Sequence, residues 1–386
     1  MEIWQEVESL ARSLTNDPVR NARAAGKPVV GFLCSYVPEE IIEAAGCVPY
    51  RIRAAESTGS TLGDSYYGAV NCSFIRRTMD LVLRGGFSFL SGVIFLNGCD
   101  HSRRLYDNWR DAARSAPEGP GLLHMLVAPH RVAEDALPRY EEELQKLVLV
   151  LSEAFNTRIT DQDFSRAIKL SNQKRALAFE ISALRRQVPA PLTGAQMLSL
   201  SLAASALPLA DAVSLLSRVR EALSSSAPAP EGPPPARIFV SGGCMEDFEH
   251  LALIESAGAI AVADNLCMGT RSFSDPVSET DPPMQAIARR YLTHLSCPRM
   301  IDDFGRRAGY VEEQMAEAEA EALIICKLKF CDLWGGEAFL LRKRMRDREI
   351  PVLLLERELY GGGEGQTRTR VQAFLEQIQN LRRRKS

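Results

Sequence analysis

Cysteine is the residue type with the most chemistry to offer in this chain, and three of its nine copies stand where reactions are done. Cys99 follows Val93–Leu96, a short apolar run of the kind that forms a strand buried on both faces. The chain breaks at Asn97-Gly98 and restarts as a polar helix rich in Arg and aromatic residues, with Asp100 as the expected N-cap. A thiol at the carboxyl end of a parallel strand and the start of a helix is favoured as thiolate, hence as metal ligand or nucleophile. The plainer alternative is a small thiol packed in a loop. Cys72 opens an expected helix, Cys72–Leu83, and Cys331 follows an expected strand, Ala322–Lys327. If the two halves of the chain turn the carboxyl edges of their sheets toward each other, these three thiolates meet on one centre. Iron–sulfur clusters are held by Cys, most often four of them. Three ligands leave one iron open, by analogy with the open position of a catalytic zinc. Cys326, five residues earlier, competes with Cys331 for the third place.

Other residues carry weaker signals. Ser35 and Glu39 sit at the first strand–helix junction, where they either meet a substrate or stabilise the helix start. Cys267 and Arg271 lie at another strand end and either line a substrate channel or shape a turn. Arg103 and Arg104 face an anion, a partner or solvent. Cys34 and Cys47 read as core thiols, and Cys244 and Cys297 carry no assignable chemistry. The glycines 361–363 are a flexible loop rather than a phosphate loop, since no strand–loop–helix fingerprint with Lys follows.

The elements that must position these groups alternate. Strands are expected at Lys27–Cys34, Cys47–Arg53, Val93–Leu96 and Leu122–Ala128, with helices between them, giving a doubly wound α/β unit over residues 1–135. Residues 136–223 carry helical periodicity and no strand signal, with a capping segment at Thr160–Asp163, and read as a helical bridge. A Pro/Ser linker spans 224–235, and a second α/β unit covers 236–386. Its strands are Arg237–Ser241, Ala259–Ala263, Ala322–Lys327 and Ile350–Leu355, with helices at Pro283–Leu295, Glu337–Asp347 and Gln366–Leu381. Arg382–Lys385 reads as a solvated tail.

With 46 Lys and Arg against 49 Asp and Glu, the charge of −3 gives no global argument for nucleic acid. No apolar run approaches the roughly 20 residues of a membrane span, and the start has no signal-peptide pattern, so a cytoplasmic protein is expected. Odd-numbered cysteines without an export signal argue against a disulfide framework, and no C-x-x-C pair or His spacing suggests zinc.

Six segments, in order, carry a resemblance. They are GFLCSYVPEE (Gly31–Glu40), NCSFIRR (Asn71–Arg77), GCDHSRRLYDNW (Gly98–Trp109), DNLCMGTR (Asp264–Arg271), KFCD (Lys329–Asp332) and GQTRTRVQAFLE (Gly365–Glu376). Together they resemble the 2-hydroxyacyl-CoA dehydratase and benzoyl-CoA reductase family. The resemblance implies two flavodoxin-like doubly wound parallel-sheet domains with one [4Fe–4S] cluster in the cleft between them, its ligands matching Cys72, Cys99 and Cys331. It further implies a CoA-thioester substrate, a related second subunit, and a separate ATP-hydrolysing iron–sulfur activator. The electron would reduce the thioester to a ketyl radical that loses a hydroxyl, or reduce an aromatic ring. This chain has no G-x-x-x-x-G-K-[ST], so ATP belongs to the activator. Asn265 and Met268 depart from the Asp and Thr more usual in the family. Two alternatives accompany this reading. One is a double-cubane reductase, for which Cys267 and Cys297 are spare thiols but too few are well placed; the other is a subunit that only relays electrons or supports its partner.

Overall fold

The computed structural model describes residues 2–114, 119–133, 135–224 and 234–385. Two parallel four-stranded sheets organise it. The first contains β1 (Val29–Phe32), β2 (Val48–Arg51), β3 (Gly92–Leu96) and β4 (Leu122–Leu126) in the order β2-β1-β3-β4. The second contains β5 (Ala236–Gly242), β6 (Ala259–Asp264), β7 (Ala322–Leu328) and β8 (Val352–Arg357) in the order β6-β5-β7-β8. The order is the same in both, so each has one switch point where the winding reverses, at β1/β3 and at β5/β7. Open α/β sheets bind ligands beyond the carboxyl ends of the strands at that point.

The helices are α1 (Glu2–Arg12), α2 (Asp17–Ala24), α3 (Glu39–Ala44), α4 (Ser73–Leu83), α5 (Asp100–Ala113), α6 (Ala136–Ala154) and α7 (Asp161–Leu184). After them come α8 (Gly194–Ala204), α9 (Leu209–Ser224), α10 (Phe248–Ser256), α11 (Pro283–Thr293), α12 (Phe304–Glu317), α13 (Asp332–Arg346) and α14 (Glu364–Lys385). Strand residues alternate between two covered faces, which is why the strands read as continuous apolar runs. In the first sheet Val29, Val93 and Phe95 pack on Met79, Leu105 and Trp109 of α4 and α5. On the opposite face Val30, Ile94 and Leu96 pack with α3, α6 and α7, and Ile287, Tyr291 and Met300 from the second half join that same core. In the second sheet Phe239, Leu323 and Ile325 face Val311 of α12 and Leu341 of α13, while Ile238, Val240 and Ile324 face α10 and α14.

Several expectations need correcting. α13 begins at Asp332 rather than Glu337: Gly335 and Gly336 read as a break, but the Gly335 N–H donates to Cys331 O at 2.8 Å and the helix runs through them. α12 has no counterpart among the expected elements. Arg382–Lys385 is no free tail, because α14 continues to Lys385 and Arg382 pairs with Glu321. Thr160 and Asp163 do form a capping box at the start of α7. Residues 225–233 of the expected linker lie outside the described residues.

Candidate functional site

Cys72, Cys99 and Cys331 are the N-cap residues of α4, α5 and α13. Each has the extended backbone of a cap, and of the three only the Cys99 sulfur makes a cap hydrogen bond. Cys99, not Asp100, caps α5: its Sγ accepts the Ser102 N–H at 3.4 Å, while Asp100 lies inside the first turn and pairs with Arg103 at 3.5 Å on the exposed face. Arg104 is exposed as well. Burial pushes the Cys72 thiol up to about 12, against the amides of Ile75 and Phe74, and the nearby Cys99 and Cys331 push it further. Burial likewise pushes Cys99 up to about 11, opposed by the Ser102 amide and reinforced by Cys331. Cys331 is raised for the same first reason, with the Trp334 amide opposing, so in the free chain burial outweighs the helix start and the thiolate expected at these positions is disfavoured. The structure thus brings the three thiols, from both sheets, within reach of one another's charge. Directly before Cys331, Phe330 holds φ at +60°, a left-handed conformation that a bulky L-residue adopts only under constraint.

More thiols gather here than the sequence suggests. Cys34 and Cys244 each lie two residues beyond the first strand of their sheet, and Cys267 follows β6. Cys34 feels Cys267, Cys244 feels Cys267 and Cys72, and Cys297 feels Cys34 and Cys267. Seven of the nine cysteines therefore form one neighbourhood. Cys47 stands apart beside Glu43, and Cys326 is buried inside β7, so of the competing pair it is Cys331 that faces the other thiols. The overlooked signal is position: most of these thiols stand just past a strand end, whatever their local sequence.

Buried guanidinium groups surround these thiols without counter-charges. Arg51, Arg271 and Arg299 are buried, and among the described residues none forms an ion pair with a carboxylate. Arg51 Nη2 lies 3.6 Å from Cys267 Sγ. Arg271 donates to Asn265 O at 2.5 Å and stacks 5.3 Å from the Trp334 ring, and Arg299 donates to the carbonyls of Ala128 and Pro129. The Nε of each, and Nη1 of Arg271, has no hydrogen-bond partner. Gly243 makes room for that stack, since a Cβ there would lie 2.6 Å from the Trp334 ring. No three His, Cys, Asp or Glu side chains among the described residues are grouped to share a single metal ion. The ligands of a cubane sit on separate irons and stand farther apart than that. A thiolate-held cluster carries net negative charge, and unpaired buried N–H groups with a ring of thiols are what such a group requires. The residues present fit it.

Beside the thiols lies a cavity of about 40 Å³, lined in part by Ser35, Glu39, Arg51, Lys174, Cys267 and Arg290. Ser35 is not a cap: the N-cap of α3 is Pro38, and the Ser35 hydroxyl is buried without a partner. Glu39 is buried too. Burial opposes its charge, but Lys174, which it pairs with, and Arg175 hold its carboxyl below the usual range. It is a fixed anion rather than a proton carrier. Glu40 pairs with Arg175 and accepts the Tyr291 hydroxyl at 2.8 Å, while that hydroxyl accepts the Glu39 N–H at 3.2 Å. Arg271 does not line this cavity; it belongs to the thiol side. No helix among the described residues is long and apolar enough to cross a membrane.

Comparison with known proteins follows the same outline. The (R)-phenyllactyl-CoA dehydratase beta subunit of Clostridium sporogenes is 22% identical over 361 residues, covering 93% of this chain and 94% of the relative. A benzoyl-CoA reductase subunit of Thauera aromatica is 26% identical, covering 91% of this chain and 92% of its own length. The beta subunit of (R)-2-hydroxyglutaryl-CoA dehydratase from Acidaminococcus fermentans is 25% identical and is covered over 98% of both chains. Residues 34–378 match the 2-hydroxyglutaryl-CoA dehydratase, D-component, family, so the chain belongs to that family of dehydratase and reductase subunits.

Proposed function

We propose that this chain is a cluster-bearing subunit of an enzyme that reduces or dehydrates a CoA thioester, with a [4Fe–4S] cluster held by Cys72, Cys99 and Cys331. The observation that carries the reading is that these three cysteines, from both sheets, cap three helices and share one neighbourhood. Such a cluster supplies one electron at a time and, with three protein ligands, one iron with an open position. The chain's own part is to place three thiols at three helix starts and to set buried guanidinium groups against the thiols beside them, Cys34, Cys244, Cys267 and Cys297. The cavity beside them receives the acyl end of the thioester. A related second subunit and a separate ATP-hydrolysing activator complete the system, which is expected in the cytoplasm.

The test is iron and acid-labile sulfide per chain on anaerobically purified protein, alone and with a co-expressed second subunit. About four of each, with a paramagnetic signal perturbed by a CoA thioester, supports the reading. A signal indifferent to thioester would leave an electron relay instead. In Cys99→Ala, iron should be lost while circular dichroism stays that of the folded chain; full iron in that variant overturns the ligand set. A second reading rests on the four further thiols, Cys34, Cys244, Cys267 and Cys297, in the same neighbourhood. It is a double-cubane reductase, and about eight irons per chain would favour it.

A further inference from the structure

The thiols that share one neighbourhood are not alike. Burial disfavours charge on Cys34, Cys72, Cys99, Cys244, Cys297 and Cys331. Cys267 has different company: among the described residues it is the one thiol whose sulfur receives a hydrogen bond from a charged side chain, Arg51 Nη2 at 3.6 Å. Arg51 is buried, has no carboxylate in ion-pair reach among the described residues, and its Nε bonds nothing. The thiolate is the form of cysteine that attacks electrophiles, and a neighbouring guanidinium is what steadies one. Beside the sulfur there is room for a small electrophile. Cys267 is half-buried and lines the cavity of about 40 Å³ together with Ser35, Arg51 and Arg290. That space holds roughly three water molecules, ample for a molecule of two oxygen atoms. Ser35 is only 6% exposed, and its hydroxyl has no partner. Arg290 is held by neutral groups alone, donating to the carbonyls of Asp275, Ser272 and Ser274 at 3.0, 3.2 and 2.7 Å.

We infer that Cys267 is a peroxide-reactive thiol, that Arg51 and Ser35 position hydrogen peroxide against it, and that Cys34 resolves the product as a disulfide. The Cys267 thiolate attacks one peroxide oxygen. An S–O bond forms and the O–O bond breaks; the sulfur gives up two electrons, and the second oxygen leaves as hydroxide, which takes a proton from water. The Ser35 hydroxyl is the free hydrogen-bonding group for the peroxide, and the unanswered charge of Arg51 and Arg290 stabilises the departing hydroxide. The sulfenic acid then condenses with the Cys34 thiol, forming an S–S bond and releasing water. Cys34 suits the second step: after burial, Cys267 is the strongest influence on it, and Arg51 acts on it as well. It follows β1 in the first sheet and Cys267 follows β6 in the second, so the disulfide ties the two halves of the chain together. A thiol reductant reverses it. Neither a cluster nor a CoA thioester takes part.

The experiment treats the full chain, stripped of iron by a chelator, with one equivalent of hydrogen peroxide and reads every cysteine by mass spectrometry. With no iron bound all nine thiols compete, so selectivity belongs to the protein. The wild type should give a peptide pair linked through Cys34 and Cys267. In Cys34→Ser the link should vanish and dimedone, which traps sulfenic acids, should label Cys267 ahead of the other thiols. Label spread evenly, or appearing first on another cysteine, overturns the inference; a link from Cys267 to a different thiol overturns the part given to Cys34. Arg51→Gln should slow oxidation of Cys267 at least about tenfold, the worth of one charge-assisted hydrogen bond, and Arg51→Lys should restore part of the rate. Equal rates in the three proteins overturn the role of Arg51. Should Arg51→Gln not fold, Ser35→Ala is the substitute, since it removes a hydroxyl with no partner in the structure, and it should slow the reaction several-fold. An unchanged rate in Ser35→Ala takes that residue out of the site and overturns the placement.

Discussion

Two sets of buried cations lie within this molecule, and they are treated in opposite ways. On α7, Lys174 and Arg175 meet Glu39 and Glu40 of α3 in a closed group completed by Tyr291. Around the thiols, Arg51, Arg271 and Arg299 bond to carbonyls, a sulfur and aromatic faces, with no carboxylate in ion-pair reach among the described residues. The first arrangement fixes structure: it ties the start of α3 to α7 and α11. The second holds charge that the protein alone does not balance. The difference separates groups that complete the fold from groups that, in the function proposed above, would answer the charge of a ligand.

The sharpest break of this comparison is a pair of substitutions. Arg175→Met strands Glu40 in the core and should cost about 3–5 kcal/mol in a denaturant titration. Arg271→Met removes a charge that has no partner, so cluster-free protein should lose less than about 1–2 kcal/mol, the lost bond to Asn265 O and the Trp334 stack being partly offset. The same variant should retain iron less well after gel filtration. Equal losses in the two variants would erase the distinction.

Glu246 tests a carboxyl of a third kind, buried with no ion-pair partner among the described residues. Burial pushes it up to about 7, with Arg53 and the Ala54 N–H, 2.7 Å away, opposing. A folded pKa raised above the unfolded one means that its contribution is complete below about pH 4.5 and lost as pH rises through about 7, a term of up to about 3 kcal/mol. Denaturation of cluster-free protein between those limits should show Glu246→Gln gaining on the wild type as pH rises; parallel curves would place the carboxylate in a pair after all. The smallest effect belongs to Cys326→Ala. It should cost about 1 kcal/mol of packing and leave iron content unchanged, because that thiol faces the core of its sheet.

Much of this arrangement is legible in the sequence. The apolar runs at β3 and β7 announce buried parallel strands, and a Cys just after such a run falls at a helix start by geometry alone. Boundaries set by a single residue are less legible. A sulfur can cap a helix, so Asp100 reads as a better candidate than Cys99 and is not the cap, and two glycines hide the first turn of α13. The charge pattern has no local signature at all. Glu40 and Arg175 are 135 residues apart, and whether an arginine has a carboxylate depends on how α3, α7 and α11 meet. Cys34 and Cys244 carry only their place just past a strand, and Cys297 lacks even that, since nothing beside it in sequence marks its neighbours in space.

A site divided between two sheets also has a history in time. Cys72 and Cys99 leave the ribosome 259 and 232 residues before Cys331. At 5–20 residues per second, that interval is roughly 10 to 50 s. A sheet of four short strands can form within it, but Ile287, Tyr291 and Met300, which belong to its core, have not yet been made for most of that delay. The first half therefore spends its early life with α3, α6 and α7 on that face but without the part of its cover that α11 and Met300 supply, and with two thiols lacking their third. The thiol set is therefore completed last, when β7 and the start of α13 arrive.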